Sequence, residues 1–152
     1  MSIGIVDVND ANGNVVAPEW LAAAERVHRQ LRPQLPDDYA GKLARVFAGG
    51  GRLAVAVLDG IVAGVAVYRI HENTVDGVQM YVDDLVIDES RRSRGVGKAL
   101  LDHLAAIAEA AGCAKLTLDS GTQRQDAHRF YFRERMTVTA FHFSQALPRT
   151  AR

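Results

Sequence analysis

Between Leu53 and Ile87 apolar residues recur with a period of two, and two Asp-Gly dipeptides interrupt them. No other stretch limits the fold as strongly. Leu53, Val55 and Val57 share one face, and Asp59-Gly60 then precedes a second apolar run, Ile61 to Ile70. Asp76-Gly77 separates that run from Val78 to Ile87. Asp-Gly accepts the left-handed backbone of tight hairpins, so the pattern predicts three antiparallel strands in a meander. The period then lengthens. Val96, Leu100, Leu104 and Ile107 mark one face of a helix from about Gly95 to Ala111, with Gly112 placed to end it. Lys115 to Asp119 reads as a short strand, and a strand-helix-strand crossover makes its neighbours parallel.

The flanking segments extend this plan. Ile3 to Val8 reads as a first strand, followed by a loop over Asn9 to Asn14. Trp20, Ala24, Val27 and Leu31 have helical spacing, with Pro18 in the first turn and Pro33 ending the pattern. Tyr39, Leu43, Val46 and Phe47 repeat the spacing until Gly49-Gly50-Gly51 breaks it. Near the other end, Asp126 to Arg133 suggests a short helix and Val138 to Leu147 a closing strand. No internal repeat or linker divides the chain, so residues 1–152 are expected to form a single domain. The expected class is α/β (α+β), with a mixed, mostly antiparallel sheet, one βαβ crossover and helices on both faces.

Composition excludes several kinds of partner. With 48% hydrophobic and 24% charged residues the chain fits a soluble globular protein. Lys plus Arg and Asp plus Glu balance at 18 each, so no overall basic field draws it to nucleic acid or anionic lipid. Neither a signal peptide nor an apolar run of membrane-spanning length is legible, and the lone Cys113 cannot close an internal disulfide. The cytoplasm is the expected compartment.

The run Arg92-Ser93-Arg94-Gly95-Val96-Gly97 lies between a strand and a helix. A helix start collects unpaired N–H groups and the positive end of the helix dipole, and glycines let an anion approach the main chain. Arg92 and Arg94 add charge-assisted donors. The run is not a Walker A loop, since no glycine stands five residues before Gly97 and Ala99 replaces the required Ser or Thr. A dinucleotide fingerprint fails too, for want of a third glycine and a parallel strand before the turn.

This run resembles the Arg/Gln-x-x-Gly-x-Gly/Ala motif of the GNAT superfamily of N-acetyltransferases. Asp83-Asp84-Leu85-Val86-Ile87 looks like the acidic strand that precedes that motif, and Ala127-His128-Arg129-Phe130-Tyr131 is similar to the family's Ala-x-x-Phe-Tyr helix. The likeness covers residues from about 53 to 147. The C-terminal half further resembles aminoalkylphosphonate N-acetyltransferase and its relatives. The family pattern continues past the Tyr helix with Gly and an aromatic residue, where this chain has Arg135-Met136.

The resemblance implies the GNAT fold and transfer of an acetyl group from acetyl-CoA, as cosubstrate, to a primary amine. The acceptor class it suggests is a small molecule of aminoalkylphosphonate, polyamine or aminoglycoside type. A protein amino group is the alternative acceptor, and a non-catalytic CoA-binding or CoA-sensing module the alternative role. It assigns the pyrophosphate to Arg92, Ser93, Arg94, Gly95, Val96, Gly97 and Lys98, and the pantetheine arm to the backbone of Leu85, Val86 and Ile87. A homodimer is a family expectation.

For chemistry, an ammonium with a pKa near 10.4 is neutral in fewer than about one part in a thousand at pH 7, so a base or water relay is needed. Asp84 is favoured by the resemblance and Asp83 retained. Strict strand alternation would send the two side chains to opposite faces. Tyr131 is the implied acid for the departing thiolate. His71, His128 and His142 have no metal-ligand spacing, and no metal is expected. Glu72 and Asp76 near the second hairpin either face the acceptor or, the favoured reading, are solvated, and Cys113 reads as buried.

Overall fold

The computed structural model describes residues 2–149. They form two compact units, one ending at Leu118 and the other beginning at Asp119.

The first unit holds the whole sheet. Strands β1 (Ile3–Asp7), β2 (Arg52–Leu58), β3 (Ile61–Asn73) and β4 (Gly77–Ile87) run antiparallel in sequence order, and β5 (Lys115–Leu118) lies parallel to β4 at the edge. Both Asp-Gly signals make turns: Asp59 and Gly60 take φ of 54° and 77°, and Gly77 takes 71°. Helix α3 (Val96–Ala110) supplies the crossover between β4 and β5 and ends at a left-handed Gly112. The meander and the parallel crossover thus match the period-two and Asp-Gly reading of the sequence.

Alternation decides which helix meets which face. Leu53, Val55, Val65, Val67 and Val86 form one core with residues of α1 (Pro18–Leu31) and α2 (Tyr39–Ala48), among them Ala24, Val27, Leu43 and Phe47. Gly64 points the other way, and a Cβ there would meet Leu100 and Val96 of α3 at 2.8 and 3.0 Å. The sheet is therefore sandwiched between α1 and α2 on one face and α3 on the other.

Two bulges interrupt the ladder. Ala63 is the extra residue where Ala56 pairs with Gly64 but Val57 pairs with Val62. Asp83 is the extra residue where Val67 pairs with Asp84 but Tyr68 pairs with Val82. A bulge bends its strand and re-aims the side chains beside it.

In the second unit α4 (Gln125–Arg133) matches the short helix expected there. The closing strand expected over Val138 to Leu147 does not form. That segment has no strand structure, and Val138, Phe141, Phe143 and Leu147 are exposed. Apolar alternation describes a face, but a strand exists only where a partner's backbone accepts its ladder, and that cannot be read from one segment. Among the described residues no helix is long and apolar enough to cross a membrane.

Candidate active site

The bulge at Asp83 changes the geometry expected for the two acids. Before it, Tyr81 and Asp83 share a face by alternation, and Asp83 closes a two-bond ion pair with Arg69 at 2.8 and 2.9 Å. After it, Asp84 pairs with Val67 and so faces α1 and α2, as Val67 and Arg69 do along β3. Both carboxylates therefore lie on the same side of the sheet. This corrects the opposite-face expectation, because an inserted residue shifts the pleat by one.

Asp84 is held by α1. Its Oδ1 accepts from Arg32 Nε at 2.8 Å and lies 2.7 Å from Nη2 of the same ion pair, while Nη2 donates to the Asp83 carbonyl at 3.1 Å. Its Oδ2 accepts from His28 Nε2 at 2.7 Å. Tyr39 Oη is 2.8 Å from the other ring nitrogen, His28 Nδ1. A neutral ring carrying its proton on Nε2 satisfies both contacts, donating to Asp84 and accepting from Tyr39. Burial pushes the Asp84 carboxyl up, but the bonds from His28 and Arg32 outweigh it and hold the group below the usual carboxylate range. Asp84 is thus an ionised acceptor at neutral pH. Burial drives the Tyr39 phenol well above its ordinary value, so it stays protonated and remains a donor.

These side chains wall a small pocket of about 190 Å³ in the first unit. Leu35, Leu43, Val46 and Val67 give it an apolar lining. His28, Arg32, Gln34, Lys42 and Asp84 supply the polar groups. Sequence reading missed His28, Arg32 and Tyr39. The available signal was a histidine four residues after Ala24, on the helix face that is otherwise apolar.

Beside the pocket the sheet opens. β5 pairs with β4 only over Gln79 to Val82, so from Asp83 to Ile87 the β4 edge away from β3 has no strand partner among the described residues. Leu85, Val86 and Ile87, expected to meet a pantetheine arm, are on that stretch. The strand then reaches Asp88, whose buried carboxylate accepts from Arg26, Gln30, Arg91 and both the amide and hydroxyl of Ser90. That hub ties α1 to the 3-10 turn Glu89–Arg91 and sets where the next loop starts.

The loop itself fits an anion. Ser93 and Gly95 both take positive φ, 64° and 81°, and Gly95 begins α3 with no side-chain cap. No acidic residue stands in the first turn of α3. An α-helix leaves its first amides without intrahelical acceptors, and Ala99 N–H to Gly95 O is the first such bond here. A Cβ added at Gly95 would come no closer than 4.0 Å to another residue, so its outer side is open. Arg92, Ser93 and Arg94 are exposed around it, whereas Val96 is buried against the sheet. Lys98 points along the helix to Asp102 at 3.1 Å.

Residues 17–136 match the Acetyltransferase (GNAT) family. The chain belongs to the GNAT acetyltransferases. Among curated relatives, an uncharacterised N-acetyltransferase of Bacillus subtilis (strain 168) is 37% identical over 86 residues, 57% of this chain and 56% of the relative. The aminoalkylphosphonate N-acetyltransferase of Salmonella typhimurium is 34% identical over 77 residues, 51% of this chain and 47% of that protein. The chain thus spans about half the length of the curated relatives it matches. A solved aminoglycoside N-acetyltransferase in complex with CoA superposes with a TM-score of 0.81 at 19% identity, covering 96% of this chain and 95% of that one. A ribosomal-protein-alanine N-acetyltransferase from Brucella melitensis gives 0.74 at 19% identity, covering 97% and 99%. At such identities these likenesses establish the GNAT fold.

Tyr131, the acid implied by the resemblance, is in the second unit. It is the buried residue of α4. Burial pushes its phenol up, partly offset by Arg124, which hydrogen-bonds it. The other histidines have partners of their own. His71 meets Gln79 at 3.2 Å, His128 meets the Gly121 carbonyl at 2.8 Å, and His142 meets Asp119 at 3.1 Å. Asp76 pairs with Lys115, Glu72 is exposed and Cys113 is half-buried.

Proposed function

We propose that this protein is a single-domain, acetyl-CoA-dependent N-acetyltransferase acting on the primary amine of a small molecule. The observation that carries the reading is the uncapped start of α3 beside the open edge of β4, in a chain of the GNAT family. The Gly95–Gly97 turn, with Arg92, Ser93, Arg94 and Lys98 around it, is the proposed pyrophosphate cradle, and the backbone of Leu85, Val86 and Ile87 the proposed pantetheine edge. When bound, the cosubstrate supplies an activated acetyl thioester.

The chain's own groups then divide the work. A main-chain N–H on the β4 edge offers a donor to the thioester oxygen. An amine becomes far more acidic as its nitrogen forms the new bond, and Asp84, ionised and turned into the pocket, is the proposed proton acceptor. Asp83, committed to Arg69, is the less available of the two acids. Tyr131, kept protonated by burial, is the proposed donor to the departing thiolate. The exposed Phe141 and Phe143 support assembly with a second copy, which sedimentation would detect.

Release of thiol from acetyl-CoA with a panel of small amines tests the activity directly. Turnover with at least one amine is expected, and Tyr131→Phe should lower kcat at least tenfold while leaving CoA affinity within about twofold. CoA binding without thiol release from any small amine or amino-terminal peptide would favour a sensing module instead.

A further inference from the structure

We propose that the pocket between α1, α2, β3 and β4 receives an anionic group of the acceptor, so that the substrate is a small amine that also carries a carboxylate or phosphonate. This rests on the acetyltransferase reading for the amine, but the pocket's charge is a separate observation. Lys42 lines the pocket half-buried, with no ion-pair partner among the described residues. The acids around it are engaged elsewhere. Asp38, one turn earlier on the same helix, accepts from the Gly41 amide at 2.9 Å. Glu25 is paired with Arg29, and Asp83 with Arg69. Asp84 is ion-paired with Arg32, which donates to it from Nε.

Lys42 therefore stands in the pocket without an ion pair among the described residues, beside the apolar side chains of Leu35, Leu43 and Val46. A charge beside low-dielectric walls attracts an anion more strongly than the same charge in water and repels a second cation equally. Arg32 also lines the pocket, but its charge is shared with Asp84, so Lys42 is the cation left for an oxyanion. Asp84 ends the polar lining on the side of the β4 edge. An acceptor with its anion at Lys42 thus has its amine directed to the carboxylate, and a polyamine would place an ammonium against Lys42. The small volume selects a compact head group.

The test uses the full chain, acetyl-CoA and amines of similar length: 2-aminoethylphosphonate, β-alanine, propylamine and 1,3-diaminopropane. We expect kcat/KM for one or both anionic amines to exceed that for propylamine at least tenfold, with the diamine lowest; the phosphonate and carboxylate arms show which oxyanion fits. Lys42→Glu should raise KM for the anionic amines at least tenfold and reverse the order, with KM for acetyl-CoA unchanged, and Lys42→Gln should lie between. An unchanged ranking in Lys42→Glu, or a neutral or cationic amine preferred by the unaltered protein, overturns the proposal. Calorimetry with CoA present reads the pocket apart from turnover. Binding of an anionic amine by the unaltered protein but not by Lys42→Glu supports the pocket even if no thiol is released, in which case only the catalytic reading fails. Absence of binding by both anionic amines sinks the pocket.

Discussion

Asp84 draws its surroundings from distant parts of the chain: Arg32 is 52 residues away and His28 is 56. Its position within the acidic strand was legible from sequence; its partners were not, because nothing local in 25–40 announces a bond to residue 84. The charge-assisted bond from His28 has a measurable consequence. That bond is one of those holding the Asp84 carboxyl below its usual range, so deleting it should raise the Asp84 pKa. If Asp84 is the proton acceptor, His28→Ala should move the acid limb of the kcat profile to higher pH. Asp84→Asn should lower kcat by about two orders of magnitude or more, within the range for a general base. A His28→Ala profile superimposable on the parent would remove His28 from the positioning of Asp84.

At the scale of elements, the seat of α3 depends on a residue with no side chain. A Cβ at Gly64 would crowd Leu100, Val96 and Ile87, the last at 3.2 Å, and those residues join the first turns of α3 to the end of β4. Gly64→Val should therefore destabilise the fold by about 1–3 kcal/mol through overpacking and, by displacing the start of α3, weaken CoA binding as well. Gly95→Val acts differently, since the space outside Gly95 is open but its φ is left-handed. That variant should lose CoA affinity at least tenfold and only about 1–2 kcal/mol of stability. Urea melts and calorimetry separate the two, and unchanged CoA affinity in Gly95→Val would count against the cradle. The glycines of the turn stood out in the sequence through their motif, whereas Gly64 did not, because close approach by a helix 32 residues later leaves no local mark.

For the whole molecule, titration links these sites to stability. The Asp84 and Asp88 carboxyls are held below the usual range, so the folded state binds their protons less readily than the unfolded chain. For Asp88 burial opposes this, but the Ser90 amide and the bonds from Arg26 and Gln30 prevail. The stabilisation from both acids is complete above their unfolded value, about 3.9, and is lost as pH falls below it. Burial raises Tyr39, Tyr68 and Tyr131, so their contribution is complete below about pH 10 and is lost as pH rises beyond it. These acids and phenols therefore favour the fold between the carboxylate and phenol ranges and cost stability on both sides of it. Asp88→Asn should cost about 1–3 kcal/mol at pH 7 and flatten the acid limb, as followed by urea denaturation across pH. A full acid limb in that variant would place the titration elsewhere.

Local pattern alone determined the meander, the crossover helix, the parallel fifth strand and the glycine turn that opens α3, because each follows from periodicity, turn residues and hydrogen bonds between near neighbours. Only the tertiary structure decided the bulge that brings both acids to one face, the α1 groups that keep Asp84 ionised, the cation left over at Lys42 and the missing strand after Val138. Each of those depends on which backbone or side chain arrives from a distant segment, and a pairing between segments is a property of the folded chain as a whole.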